Sequence, residues 1–123
     1  MNFNAEEQEN TRQKGRLGEN EAAEFLISNG YSIISRNYQT KRGEIDCIAE
    51  DPSGTLVFVE VKAAASGYFG HPAFWVNRAK QRKIATMARL YLAEHGITRR
   101  PCRFDVITIY KGKIDHIKNA FLA

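Results

Sequence analysis

Cysteine is scarce in this sequence: Cys47 and Cys102 lie 55 positions apart without CxxC spacing. That pattern supports neither a zinc site nor a disulfide framework, and both thiols read as reduced. No apolar run approaches the ~18 residues that a membrane span needs. The amino-terminal MNFNAEEQEN lacks both the basic-then-apolar pattern of a secretory signal and the Arg-rich, acid-poor pattern of a transit peptide. The expected location is therefore the cytoplasm, with no membrane partner. Low complexity and internal repeats are also missing. With 43% hydrophobic and 26% charged residues, the 123-residue chain reads as globular rather than disordered. Its length suits one domain with one core, burying roughly two-thirds of the surface that the unfolded chain exposes.

What is there is basic. The net charge is +4, but the first ten residues carry Glu6, Glu7 and Glu9 and no base, so residues 11–123 hold 18 basic against 11 acidic side chains, or +7. Residues 76–100 concentrate Arg78, Lys80, Arg82, Lys83, Arg89, Arg99 and Arg100 against Glu94 alone. Such a cluster attracts a polyanion, and attraction to phosphates is independent of sequence. A solvated helix face accounts for the charge equally well.

Residues 1–13 are polar and without apolar periodicity, so a flexible tail is expected there, followed by a single domain over 14–123. Helical spacing of Ala22, Ala23, Phe25, Leu26 and Ile27 predicts a first helix between Gly15 and Gly30. Strands are expected at Tyr31–Arg36 and Glu44–Glu50, the latter with Ile45, Cys47 and Ala49 on one side and Glu44, Asp46 and Ile48 on the other. Asp51-Pro52-Ser53-Gly54 is turn chemistry. LVFVEVK, from Leu56 to Lys62, reads as a central strand covered on both faces. A small-residue and aromatic loop leads into a long helix from about Phe74 to His95, ended by Gly96. Arg103–Tyr110 and Lys113–Ile117 complete a hairpin. The order αβββαββ predicts a mixed α/β sandwich whose second helix crosses between strands of one sheet.

Several charges stand where this pattern wants apolar residues. The buried stripe of the first helix, Ala22, Ala23 and Leu26, runs back to Glu19. That of the second, Ile84, Ala88 and Tyr91, runs back to Lys80 and Gln81. Glu60 and Lys62 share a face of the central strand, ~6.7 Å apart, and Asp46 shares one with Glu44. Buried charge is costly unless paired, hydrogen-bonded or bound to metal. Carboxylates from two strands and a helix suit a hard cation such as Mg²⁺, which takes oxygen ligands, and the Val61 carbonyl offers another. Lys62 is placed to orient or deprotonate a water, or to neutralise charge on a phosphate. Other readings stand beside these: an exposed ion pair for Glu60 and Lys62, a helix acid near its favourable dipole for Glu19, and a strand-edge charge for Glu44.

The segments GRLGENEAAEFL (16–27), NGYSIISRNY (29–38), GEID (43–46), FVEVK (58–62), FGHPA (69–73), KQRK (80–83), RFDVI (103–107) and HIKNAF (116–121), taken in order, resemble the YraN family of small bacterial proteins. That family is similar to the PD-(D/E)xK nuclease superfamily, which includes archaeal Holliday junction resolvases and many restriction enzymes. The resemblance implies a restriction-endonuclease-like αβββαβ core with a mixed central sheet and a C-terminal β-hairpin. It also implies a Mg²⁺- or Mn²⁺-dependent endonuclease acting on DNA, including branched or repair intermediates. Position by position, the helix acid falls on Glu19, the metal-binding aspartate on Asp46, and the E-x-K acid and lysine on Glu60 and Lys62. Lys80 and Gln81 fall where related nucleases place a helix residue that touches substrate, beside Arg78, Arg82 and Lys83. One departure is Ala63-Ala64-Ala65 after the E-V-K triplet, where family members commonly carry a base.

A nucleic-acid-binding module that keeps the fold without cutting is the alternative. A resolvase-like role on a symmetric junction would call for a homodimer. Tyr68, Phe69, Phe74 and Trp75 read as stacking platforms or as satellite core. His71, His95 and His116 lack ligand spacing, and Asp105 is expected to hydrogen-bond a neighbouring element.

Overall fold

The apolar run beginning at Leu56 becomes the middle strand of a five-stranded sheet. The computed structural model describes residues 5–63 and 76–122, with side chains of the first helix from Leu17 onward. Seven elements follow one another: α1 (Ala5–Ser28), β1 (Ser32–Thr40), β2 (Gly43–Glu50), β3 (Leu56–Ala63), α2 (Arg78–Glu94), β4 (Cys102–Tyr110) and β5 (Lys113–Phe121). The sheet order is β1-β2-β3-β4-β5, antiparallel except that β3 and β4 run parallel from Leu56↔Cys102 to Ala63↔Ile109. A parallel pair needs a crossover, and α2 lies within it. The mixed sheet, the αβββαβ order and the terminal hairpin are those expected.

Alternation along β3 splits the core in two. Leu56 and Phe58 pack with Ile84, Ala85, Met87, Ala88 and Tyr91 of α2, and the Tyr91 ring meets Phe58 and Tyr38 edge-on. Val57 and Val59 pack instead with Ala22 and Leu26 of α1, together with Cys47, Ala49 and Ile107. Each helix therefore covers one face of β3, which is why that strand reads as nearly continuous hydrophobicity. Burying Phe58 or Leu56 contributes about 2–3 kcal/mol each.

Four boundaries differ from expectation. The first helix, α1, begins at Ala5 rather than near Gly15. The added turns are rich in Glu, Gln, Arg and Lys, good helix formers with no apolar period to betray them. The polar stretch after Arg36 continues β1 to Thr40 by pairing with the start of β2. β5 likewise runs on past Ile117 to Phe121. The helix α2 starts at Arg78 because the Asn77 side chain caps it, accepting the Lys80 N–H at 2.9 Å. Phe74, Trp75, Tyr68, Phe69, His71 and Ala64-Ala65 lie outside the described residues.

A polar cluster ties the other end of the sheet together. The Arg103 guanidinium donates to Asp105 (3.0 and 3.2 Å), Asp51 (2.7 Å) and the Tyr31 hydroxyl (2.6 Å). Asp105, wholly buried, also meets His116 Nε2 at 2.7 Å and accepts the Asn119 N–H at 3.1 Å. Burial alone would raise the Asp105 pKa, but the His116, Arg103 and Asn119 contacts outweigh it and hold the carboxyl below its usual range. Asp105 thus brackets β4 to β5, and Arg103 reaches on to the β2–β3 turn and the start of β1. His95, by contrast, sits at the C-terminal end of α2, where its Nδ1 meets the Tyr91 carbonyl at 2.8 Å.

Candidate metal and nucleic-acid site

β2 and β3 pair in register from Glu50↔Leu56 to Cys47↔Val59 and then part. Just beyond, Asp46 Oδ2 accepts the Val61 N–H at 2.8 Å, so a carboxylate replaces the partner strand's carbonyl. On its other side β2 stays paired with β1, but the residue in register with Asp46 is Asn37, whose φ is +54°. Asparagine is among the few L-residues that tolerate this region. The faces exchange here. Arg36 points to α1, donating to Asn20 at 2.6 Å, and its neighbour Cys47 packs on the α1 side, whereas Tyr38 and Ile45 pack against α2. The expectation that Ile45, Cys47 and Ala49 share one side is therefore corrected: strict alternation fails at Asp46, opposite the left-handed Asn37.

The parted strands open a gap through which acids from both layers meet. Glu19 of α1 and Glu44 and Asp46 of β2 each bring one oxygen to within 4.8 Å of the others. The Asn37 amide, oriented with its nitrogen toward the acids, donates to Glu19 Oε2 at 3.0 Å and Glu44 Oε1 at 2.7 Å. Gly18 sets the approach of α1. A Cβ there would lie 3.3 Å from the Cβ of Ala63 and 3.8 Å from Ile109, so any side chain at this position crowds the end of β3. Glu60, its side chain 11% exposed, forms an ion pair with Lys80 of α2.

Crowding shows in the titration of these groups. Burial first, then the Glu60 charge, pushes Asp46 up to about 7 against the pull of the Val61 N–H. Glu19 is raised by burial and by Glu44, with Arg36 and Asn37 drawing it back. The pocket thus carries more negative charge than its cations offset, which is the electrostatic condition for a bound cation.

Glu19 and Asp46 come together, and Glu44, left open in the sequence, lies with them. Glu60 adjoins it, and Val61 contributes an engaged N–H. Lys62 is exposed at the end of β3 and has no ion pair among the described residues. Arg78, Arg82 and Lys83 are exposed on α2. Gln81 turns back, donating to the Val76 carbonyl at 2.8 Å. Sequence reasoning missed Gly18, Asn37 and Asn77. Asn37 falls just past the expected end of the first strand, so nothing in the sequence marks it, or Gly18, as a special position.

The fold and this cluster define an α/β protein with an acidic pocket where a mixed sheet opens. A family model described as "Uncharacterised protein family UPF0102" matches residues 18–109, and the chain belongs to that family. A UPF0102 protein of Persephonella marina is 45% identical over 108 residues, covering 88% of this chain and 92% of the relative. Another, of Symbiobacterium thermophilum, is 48% identical over 118 residues, covering 92% and 99%. Among solved structures, the chain is similar to EndoMS in complex with double-stranded DNA, with a TM-score of 0.44 and 18% identity over 72% of this chain and 34% of that one. It is also similar to Pyrococcus furiosus SfsA in complex with Ca²⁺, with a TM-score of 0.35 and 15% identity over 88% and 63%. The chain thus spans about a third of the length of the first and under two-thirds of the second. Among the described residues, no helix is long and apolar enough to cross a membrane.

Proposed function

We propose that this protein is an endonuclease, hydrolysing phosphodiester bonds of DNA with the help of Mg²⁺ or Mn²⁺. The observation that carries the reading is the convergence of Glu19, Glu44 and Asp46 in a pocket where charge is under-compensated. The donor set fits: two oxygens on one Mg²⁺ lie at most about 4.2 Å apart, so no pair within 4.8 Å needs to close by more than about 0.6 Å. Glu19, Asp46 and Glu44 would hold the ion, with Glu60 and the Val61 carbonyl beside it. The chemistry such an ion supplies is polarisation of the phosphodiester and acidification of a water. Asn37, donating to Glu19 and Glu44, fixes the direction of two of the acids. Lys62, exposed and two residues past Glu60, meets the charge that develops on the phosphate.

Purified protein incubated with linear, flapped and four-way DNA and Mn²⁺ is expected to cut, and Asp46→Ala and Lys62→Ala to reduce cutting roughly 10²–10³-fold. Cleavage that survives both substitutions belongs to a contaminant and removes the assignment. Calorimetry should show Mn²⁺ binding that Asp46→Ala abolishes. The pairing of Glu60 with Lys80 rather than Lys62 favours a second reading, a module that binds nucleic acid without cutting it. Metal and DNA binding without cleavage of any of these substrates would select that reading.

A further inference from the structure

The acidic pocket opens onto a basic surface that is not confined to one helix. A first depression is lined by Arg42, Gly43 and Glu44 on the β1–β2 hairpin and by Asn77, Lys80 and Lys83 on the α2 side. It adjoins a second, which shares Arg42 and Lys83 with it and adds Arg82 and Thr86. Arg82 in turn borders a third, which extends to Arg78 and Arg89 and ends against Leu122. Arg42, Arg78, Arg82, Lys83 and Arg89 are all exposed, and none forms an ion pair among the described residues. This contrasts with Lys80, Arg100 and Arg103, whose charges are spent on Glu60, Glu50, Asp51 and Asp105.

We infer that this track binds the sugar-phosphate backbone of a DNA strand and leads it to the carboxylates, with Arg42 of the hairpin and Arg82 and Lys83 of α2 gripping it from two sides. The inference rests on the nucleic-acid reading above and deepens it. It adds Arg42 to the contacts expected from sequence and removes Lys80 and Gln81, which are engaged with Glu60 and with Val76. Charge complementarity names the occupant. Glu44, at the mouth of the pocket, is the single acid lining the three depressions among the described residues. Length agrees: from Arg78 to Arg89 the helix rises about 16 Å, matching about five nucleotides of one strand at ~3.4 Å each. Arg78, Arg82 and Arg89 recur at helical spacing on one stripe, with Thr86 between them accepting from Arg89 at 3.4 Å.

The test measures binding without chemistry. A fluorescein-labelled 20-mer, single-stranded and as a duplex, is titrated with protein by anisotropy in EDTA across a series of salt concentrations. The double variant Arg42→Gln/Arg82→Gln should lower the slope of log affinity against log salt by about 1.8 on duplex, and by about 1.4 on single strand. Lys113→Gln/Lys118→Gln removes the same charge from exposed positions on the far edge strand β5 and should leave the slope unchanged. Equal effects of the two doubles, or no binding by the parent protein at low salt, would overturn the track. Because no metal is present, a parent protein that binds through this track yet never cuts defeats the nuclease proposal alone. One that cuts with an unaltered salt slope in the first double defeats the track alone.

Discussion

Asp46 concentrates the energetic conflict of the site in one carboxyl. Its pKa of about 7 lies well above the ~3.9 of an unfolded chain. The folded state therefore keeps a proton that the unfolded state has released, and this group's favourable contribution is complete below about pH 4 and lost as pH rises through 7. Asp46→Asn keeps an oxygen for the Val61 N–H and removes the charge. At pH 8 without metal, the variant is expected to be more stable than the parent by about 1–3 kcal/mol. Added Mn²⁺ should raise the melting temperature of the parent but not of the variant. A variant that melts below the parent in EDTA would show that the ionised carboxylate is not the strained species.

At the scale of the element, the contact between α1 and β3 depends on Gly18. Gly18→Leu must push the helix off Ala63, costing about 1–3 kcal/mol by overpacking. It also carries Glu19 away from Asp46, so calorimetric Mn²⁺ affinity should fall even where the variant remains folded. Unchanged affinity would mean that Glu19 is not a ligand. Why this junction was hidden in the sequence, while other parts were plain, is a matter of range. The elements themselves were legible because burial imposes periods: Ala22 and Leu26 on α1, Ile84, Ala88 and Tyr91 on α2, and the unbroken apolar run of β3. Asp46 and Glu60 were legible for the converse reason, as charges that interrupt those periods. Asn37, Gly18 and the Lys80–Glu60 pair were not, since each depends on a local left-handed backbone or on the distance between segments far apart in the chain. Glu44 stayed open because alternation cannot tell an edge charge from a ligand where alternation itself breaks down.

For the molecule as a whole, two groups of acids pull in opposite directions. Burial would raise Asp51 and Asp105, but hydrogen bonds from Ser53 and Thr55 to the first, from His116 and Asn119 to the second, and from Arg103 to both leave them depressed. The stability they contribute is present above the ordinary carboxylate range near pH 4 and is lost as pH falls through their lower folded values. Asp46 and Glu19, raised, weaken the fold as pH climbs from about 4 toward 7. Thermal melts from pH 2 to 9 should accordingly show a metal-free optimum in mild acid. Millimolar Mg²⁺ or Mn²⁺ should move it to neutrality, because binding favours the ionised acids. An optimum unmoved by either ion would argue that these acids bind none.

The left-handed Asn37 has an effect beyond the pocket. β1 and β5 are the margins of an open sheet, and a flat margin is a template for pairing with a neighbouring chain. β1 carries a register shift between Ile33 and Ser35 as well as the left-handed turn at Asn37, and β5 has its own left-handed residue at Asn119 beside Lys118. Neither margin can offer a long straight ladder. The kink beside the carboxylates therefore also makes this margin a poor template for edge-to-edge pairing.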